Sequence, residues 1–134
     1  MVGSCAIDRI EQHGRRSAQL GGTATYAALT YARLGAAVRV VTRVAPEDGA
    51  ILDPLRLAGV DVRATPSART TRFVNAIDGD GRQQRLLAIA APIDGESVTD
   101  ACRGAALVHL GPLHPADLSP AQGSLDRRYH RRYC

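Results

Sequence analysis

The stretch from Gly21 to Val44 constrains this chain more than any other. Gly21-Gly22 opens onto Thr23-Ala24-Thr25-Tyr26-Ala27-Ala28-Leu29-Thr30-Tyr31-Ala32-Arg33-Leu34, closed by Gly35. Alanine and leucine favour helix, Ala24, Ala27, Ala28, Tyr31 and Leu34 recur at helical spacing, and a glycine suits the C-terminal stop. The run that follows, Ala37 to Val44, is β-branched and too short for a typical helix, so it reads as a strand. A small alanine face lets the helix lie close against a sheet. A helix delivering the chain into a buried strand is the unit from which parallel sheets are built.

The rest of the chain extends that pattern. Met1 to Ile7 reads as a short buried strand ending at Asp8, and His13-Gly14-Arg15-Arg16 as a polar connection. Pro54 is costly inside a helix but comfortable at its first position, which makes Asp53 the expected N-cap of a short helix ending near Ala58-Gly59. A brief strand is expected at Val60-Asp61-Val62. Thr71 to Ile77 and Arg82 to Ala90 flank Asp78-Gly79-Asp80-Gly81, whose Asp-Gly steps supply the positive φ of an antiparallel hairpin. Ser97 to Ala101 reads as a helix and Ala106 to Leu110 as another buried strand, stopped by Gly111-Pro112. The expected fold class is α/β, with a mainly parallel sheet and the hairpin as an insertion. Nothing repeats internally.

Composition narrows the function classes. A chain of 134 residues, 45% apolar and 22% charged, is one domain's worth of sequence, able to bury roughly 65–70% of its unfolded surface. No apolar run approaches the ~18 residues that span a bilayer, and Met1 to Cys5 lacks the basic start of a signal peptide. Cys5, Cys102 and Cys134 are too scattered for a disulfide framework or a zinc site, so a cytoplasmic location is expected. Every one of the 17 basic residues is arginine. The last ten residues carry four arginines and Asp126, a net +3, which leaves residues 1–124 at +1. The body is nearly neutral, and net charge gives no argument for nucleic-acid binding by the fold itself. Asp78-Gly79-Asp80 lacks the later ligands of a calcium loop, having Arg82 and Ile89 at those places.

In order along the chain, VGSCAID at 2–8, GGTATYAALTYARLGAAVRVVTRVAPED at 21–48, LRLAGVDV at 55–62, Thr70-Thr71, IDGDGRQQR at 77–85 and VHLGPL at 108–113 resemble the N-terminal half of the ribokinase-like (PfkB-type) carbohydrate kinases. The resemblance covers about residues 1–120 and implies a ribokinase-like Rossmann-type sheet, with a lid hairpin near residues 70–90 that commonly serves dimerisation. It implies a sugar, nucleoside or related alcohol as substrate, with ATP and Mg2+ as the family's cofactors. Asp8 stands where the family's aspartate binds substrate hydroxyls, and Gly21 and Gly22 where paired glycines admit the substrate. An acceptor-only carboxylate suits a polyol, and a glycine removes the Cβ from a ligand's path. Tyr26 stands at a position usually held by asparagine, and Arg72, Asn75 and Arg85 are the lid's candidate contacts, with solvated lid residues as the plainer reading.

The glycine-rich G-A-G-D motif that supplies the family's anion hole and catalytic base is absent from these 134 residues. Phosphoryl transfer rests on positioning the nucleotide and neutralising its charge. The chain alone is therefore expected to be catalytically incomplete and to bind the nucleotide poorly, with a non-catalytic sugar- or protein-binding module as the alternative. Residues 121–134 are expected to form an irregular basic tail. Family resemblance stops at Ser119-Pro120, and the arginine-rich, lysine-free end is what a reading-frame change in a GC-rich gene yields. A genuine basic tail contacting nucleic acid is the competing reading.

Overall fold

The computed structural model describes residues 1–78 and 81–118. In chain order its elements are β1 (Val2–Gly3), β2 (Ala6–Gln12), β3 (Arg15–Gly21), α1 (Thr23–Arg33), β4 (Arg39–Val44), a 3-10 segment (Pro46–Leu52), α2 (Asp53–Leu57), β5 (Asp61–Pro66), β6 (Thr71–Asp78), β7 (Gly81–Ala88), α3 (Gly95–Cys102), β8 (Leu110–Gly111) and a 3-10 turn (Pro115–Asp117). They form two four-stranded sheets.

The first sheet has the order β5-β4-β1-β8, and every pairing in it is parallel. Alternation along β4 sends Val40 to one face and Val41 to the other. Val40 joins Cys5, Ala24, Ala28, Val44, Leu52, Leu55 and Val60 in a core beneath α1 and α2. Val41 joins Val2, Ile93, Val98 and Cys102 beneath α3. Helices thus cover both faces, the condition under which parallel sheets persist. Leu52 and Leu55 are fully buried, each worth about 1.5–3 kcal/mol of transfer free energy.

The second sheet, in the order β3-β2-β6-β7, is mixed: β2 pairs parallel with β6 and antiparallel with β3, and β6 pairs antiparallel with β7. Buried hydroxyls pin the seam where the chain passes between sheets. Thr42 Oγ1 accepts from Cys5 N–H at 3.0 Å, Thr70 Oγ1 from Ala45 N–H at 2.9 Å, Thr71 Oγ1 from Ala90 N–H at 3.1 Å and Ser67 Oγ from Ala91 N–H at 2.9 Å. Each satisfies a backbone donor that neither sheet's ladder can reach.

Four expectations change. The opening strand is two strands, split at Ser4-Cys5, and the supposed polar connection is the turn and far arm of a hairpin, with His13 at φ 49° and Gly14 at φ 70°. β3 is exposed along most of its length, so no apolar period marked it. Asp53 is the first residue of α2 rather than its N-cap, because the 3-10 segment runs directly into it and leaves Leu52 as the cap. The strand at Ala106–Leu110 shrinks to Leu110–Gly111: β1 offers it only Val2 and Gly3 as partners, and Leu107 is 72% exposed. The strand expected at 60–62 and the helix at 97–101 are present but longer, as β5 and α3. The Gly79-Asp80 turn and the 121–134 tail lie outside the described residues. No helix among the described residues is long and apolar enough to cross a membrane.

Candidate functional site

The register of the second sheet decides which side chains share a face. Asp8 stands opposite Gln19 on β3 and Phe73 on β6. One step up the same face Ile10 meets Asn75, which meets Gln84 on β7, and Ile77 meets Arg82. One face therefore presents Asp8, Gln19, Asn75, Arg82 and Gln84, with Phe73 among them. The opposite face carries Ile7, Leu20 and Val74 and packs inward at its base.

Asp8 is half-buried, and its carboxylate accepts no hydrogen bond from a described residue. Desolvation raises its pKa above the ordinary carboxylate value, and the positive charge of Arg82 pulls it back down. The carboxylate occupies the space beside Gly21, where any Cβ would collide with it. Gly22 follows at φ 94°, a conformation glycine adopts without steric cost, and a Cβ there would strike Ser4 O. The two glycines thus have separate duties: one makes room for the carboxylate, the other turns the chain into α1. Thr25 Oγ1 donates to Gly21 O at 2.7 Å and fixes that turn.

Asn75 is buried, and its Oδ1 collects three donors: Arg82 Nε at 3.2 Å, Arg82 Nη2 at 2.8 Å and Gln84 Nε2 at 3.0 Å. The structure thus brings Asp8, Gly21, Gly22 and Asn75 to one region. It does not bring Arg72 there. Arg72 stands opposite Ile7, on the other face, and its Nη2 donates to both carboxylate oxygens of Asp48 at 2.7 Å. Tyr26 lies in the first turn of α1 and is 52% exposed. Arg82, Gln84 and Gln19 were missed from sequence, although Asp78 paired with Gly81 sets a register that puts Gln84 across from Asn75.

The donor set suits hydroxyl groups. Among the described residues no three His, Cys, Asp or Glu side chains gather where they could hold a metal ion. The Gly-Gly entry to α1 also lacks the lysine and following hydroxyl that grip a polyphosphate. A cleft of about 650 Å³ lies elsewhere, at the amino ends of the first sheet. There Tyr31 Oη and His109 Nδ1 are 2.9 Å apart. Ligands of open parallel sheets bind at the carboxyl ends of the strands, and the cleft's outer wall is the exposed segment 103–107, so the Asp8 face is the stronger candidate.

No family model and no curated protein sequence matches the chain. Solved structures do. A pyrophosphate-dependent kinase in the ribokinase family, in complex with sulfate, superposes with a TM-score of 0.79 at 25% identity, covering 96% of this chain and 46% of that one. A pyrophosphate-dependent kinase of the same family, complexed with a pyrophosphate analog and myo-inositol, gives 0.77 at 24% identity, over 96% and 45% of the two chains. A sugar kinase from Pyrococcus horikoshii in complex with ATP gives 0.56 at 19% identity, over 67% and 35%. The chain spans about half the length of the first two. Parallel first sheet, mixed second sheet and matched solved structures agree: this chain carries the ribokinase-like fold over part of the length of ribokinase-family kinases, the family its sequence motifs resemble.

Proposed function

We propose that this chain is the substrate-holding part of a carbohydrate or polyol kinase, with Asp8 accepting hydrogen bonds from two hydroxyls of the substrate. The observation that carries this reading is the half-buried Asp8 carboxylate, free of hydrogen-bond donors among the described residues and seated against a glycine that leaves it room. Burying such a group without partners is costly, and a diol supplies the donors it lacks. Gly21 and Gly22 let the substrate approach the backbone, Asn75 and Gln84 supply amide contacts, and Tyr26 borders the entrance to α1. The second sheet acts as a lid that excludes water from competing as phosphoryl acceptor. Its outer strands, β3 and β7, offer edges to a second copy of the chain.

No G-A-G-D motif stands in the sequence to seat a phosphoryl donor, ATP or pyrophosphate with Mg2+, and the chain by itself does not transfer phosphate. The non-catalytic binding module remains the second reading, favoured by the absence of a G-A-G-D motif in the sequence. Thermal shift and calorimetry of the purified chain against myo-inositol, ribose, fructose and inosine test the site. One of them is expected to stabilise the wild type, and Asp8→Asn to lose at least tenfold in affinity. A panel with no response overturns the reading. Phosphorus NMR with ATP or pyrophosphate present separates the two versions, since turnover by the chain alone contradicts its catalytic incompleteness.

A further inference from the structure

We propose that Arg82 is a positioning residue that balances the charge of Asp8, so that this face takes an uncharged polyol while Asp8 repels the same sugar carrying a phosphate. The inference rests on the reading of Asp8 as the hydroxyl-binding carboxylate and adds what stands beside it. Arg82 projects from β7 onto the Asp8 face, two of its nitrogens gripping Asn75 Oδ1, itself held by Gln84. A guanidinium fork fixed to a buried amide is pre-organised, so its charge sits at a set place relative to Asp8. The groups facing Asp8 from the other elements are neutral: Gln19 from β3, Phe73 from β6, Gly21 and Gly22 from the entry to α1. Arg15, opposite Gln12, is the other cation of this face and stands at its far end.

The charges therefore cancel where the substrate meets the sheet. One carboxylate and one guanidinium are set among amides. A polyol satisfies such a surface by donating hydroxyls to Asp8 and accepting from the remaining N–H groups of Arg82. A phosphorylated sugar brings its dianion near Asp8, and the one cation able to offset it is already balanced by that carboxylate and tethered to Asn75. Discrimination by an uncompensated like charge is the repulsive half of specificity. Arg82 also keeps Asp8 in its acceptor form, because the neighbouring cation opposes the effect of burial on the carboxyl proton.

The test uses three neutral–anionic pairs on the full chain: myo-inositol and its monophosphate, ribose and ribose 5-phosphate, fructose and fructose 6-phosphate. In the pair that binds, the wild type is expected to favour the neutral member at least tenfold. Arg82→Gln is expected to weaken neutral binding about tenfold and to move its acid limb to higher pH, because Asp8 then protonates more readily. Arg82→Lys restores the acid limb by restoring the charge. Asp8→Asn leaves Arg82 uncompensated and narrows or reverses the preference. Thermal unfolding of each variant, measured alongside, identifies any that fails to fold, and the pH limb of the lysine variant then carries the decision. A wild type that prefers the phosphorylated member, or an Arg82→Gln variant with unchanged affinity and pH limb, overturns the assignment while leaving Asp8 as a polyol site. Silence from all six compounds overturns the polyol site itself, and this proposal with it.

Discussion

The two sheets are held together by different physics. In the first, the strands are short, two to six residues, but helices lie on both faces and its central side chains Val2, Val40, Val41 and Thr42 are almost wholly buried. In the second, the strands reach seven or eight residues, yet β3 and β7 are exposed over most of their length. Its order comes from ladder hydrogen bonds and register more than from apolar burial. The first sheet is where a substitution should register as lost stability. The second is where it should register as lost binding, since its polar face holds Asp8, Asn75 and Arg82 and little packs over it among the described residues.

The sharpest way to break that comparison is a matched pair of truncations. Leu55 is fully buried between α2 and the first sheet, whereas Leu86 on β7 is 40% exposed. Leu55→Ala is expected to cost about 2–5 kcal/mol, the range for a buried leucine that leaves a cavity. Leu86→Ala should cost under about 1 kcal/mol. Urea denaturation measures both. Equal losses would mean that the second sheet buries a core of its own and that the division drawn above is wrong.

The seam between the sheets comes next in size. Thr71 is fully buried, and its hydroxyl takes the Ala90 N–H. Thr71→Val keeps the shape and removes the acceptor, which strands a buried donor at a cost of about 1–3 kcal/mol. Thr71→Ser should recover most of it. Hydrogen exchange at the Ala90 amide gives the local readout: acceleration there, with the first sheet's amides unchanged, means the seam opens by itself. Acceleration throughout means the two sheets unfold as one unit.

Legibility in the sequence followed the same division. α1 and β4 announced themselves because apolar periodicity and β-branching are what burial on both faces produces, and the hairpin of β6 and β7 because Asp-Gly turns have their own chemistry. β3 could not be read. Arg15-Arg16-Ser17-Ala18-Gln19 lies on an exposed outer strand, where no face must be apolar, and its turn uses His13-Gly14 in place of Asn-Gly or Asp-Gly. Missing β3 hid the neighbour of Asp8. Within the candidate site, Asp8, Gly21 and Gly22 were named through family resemblance, and the geometry gives each glycine a steric reason. Arg72 and Asn75 were named together, but three residues along a strand put two side chains on opposite faces. Arg82 and Gln84 required the register, a property of two strands at once.

The smallest effect sets the two regions against each other through two aspartates whose proton affinities move in opposite directions. Asp94 caps α3: Ser97 N–H donates to it at 2.7 Å, the Ser97 hydroxyl at 2.8 Å and Arg43 Nη2 at 2.7 Å. The Ser97 bonds, with Arg43 behind them, hold its pKa well below the ordinary value of 3.8. A depressed carboxyl contributes stability that is complete above the unfolded value and is lost as pH falls from there through the folded one. Asp8 is shifted upward by desolvation. Its native form takes up a proton before the unfolded chain does, so its contribution to stability rises as pH falls through the folded value and levels off below the unfolded one. Asp94→Ala is therefore expected to cost about 1 kcal/mol through the lost cap, while Asp94→Asn keeps a capping oxygen and flattens the loss of stability below about pH 4. Asp8→Asn should stabilise the chain at neutral pH, an advantage that narrows as acid protonates the wild type. Denaturant midpoints between pH 3 and pH 7 check both signs. A wild-type-like acid profile in Asp94→Asn would remove Asp94 as the source of the acid limb. A neutral-pH loss in Asp8→Asn would mean that Asp8 stabilises the second sheet instead of being held there at a cost.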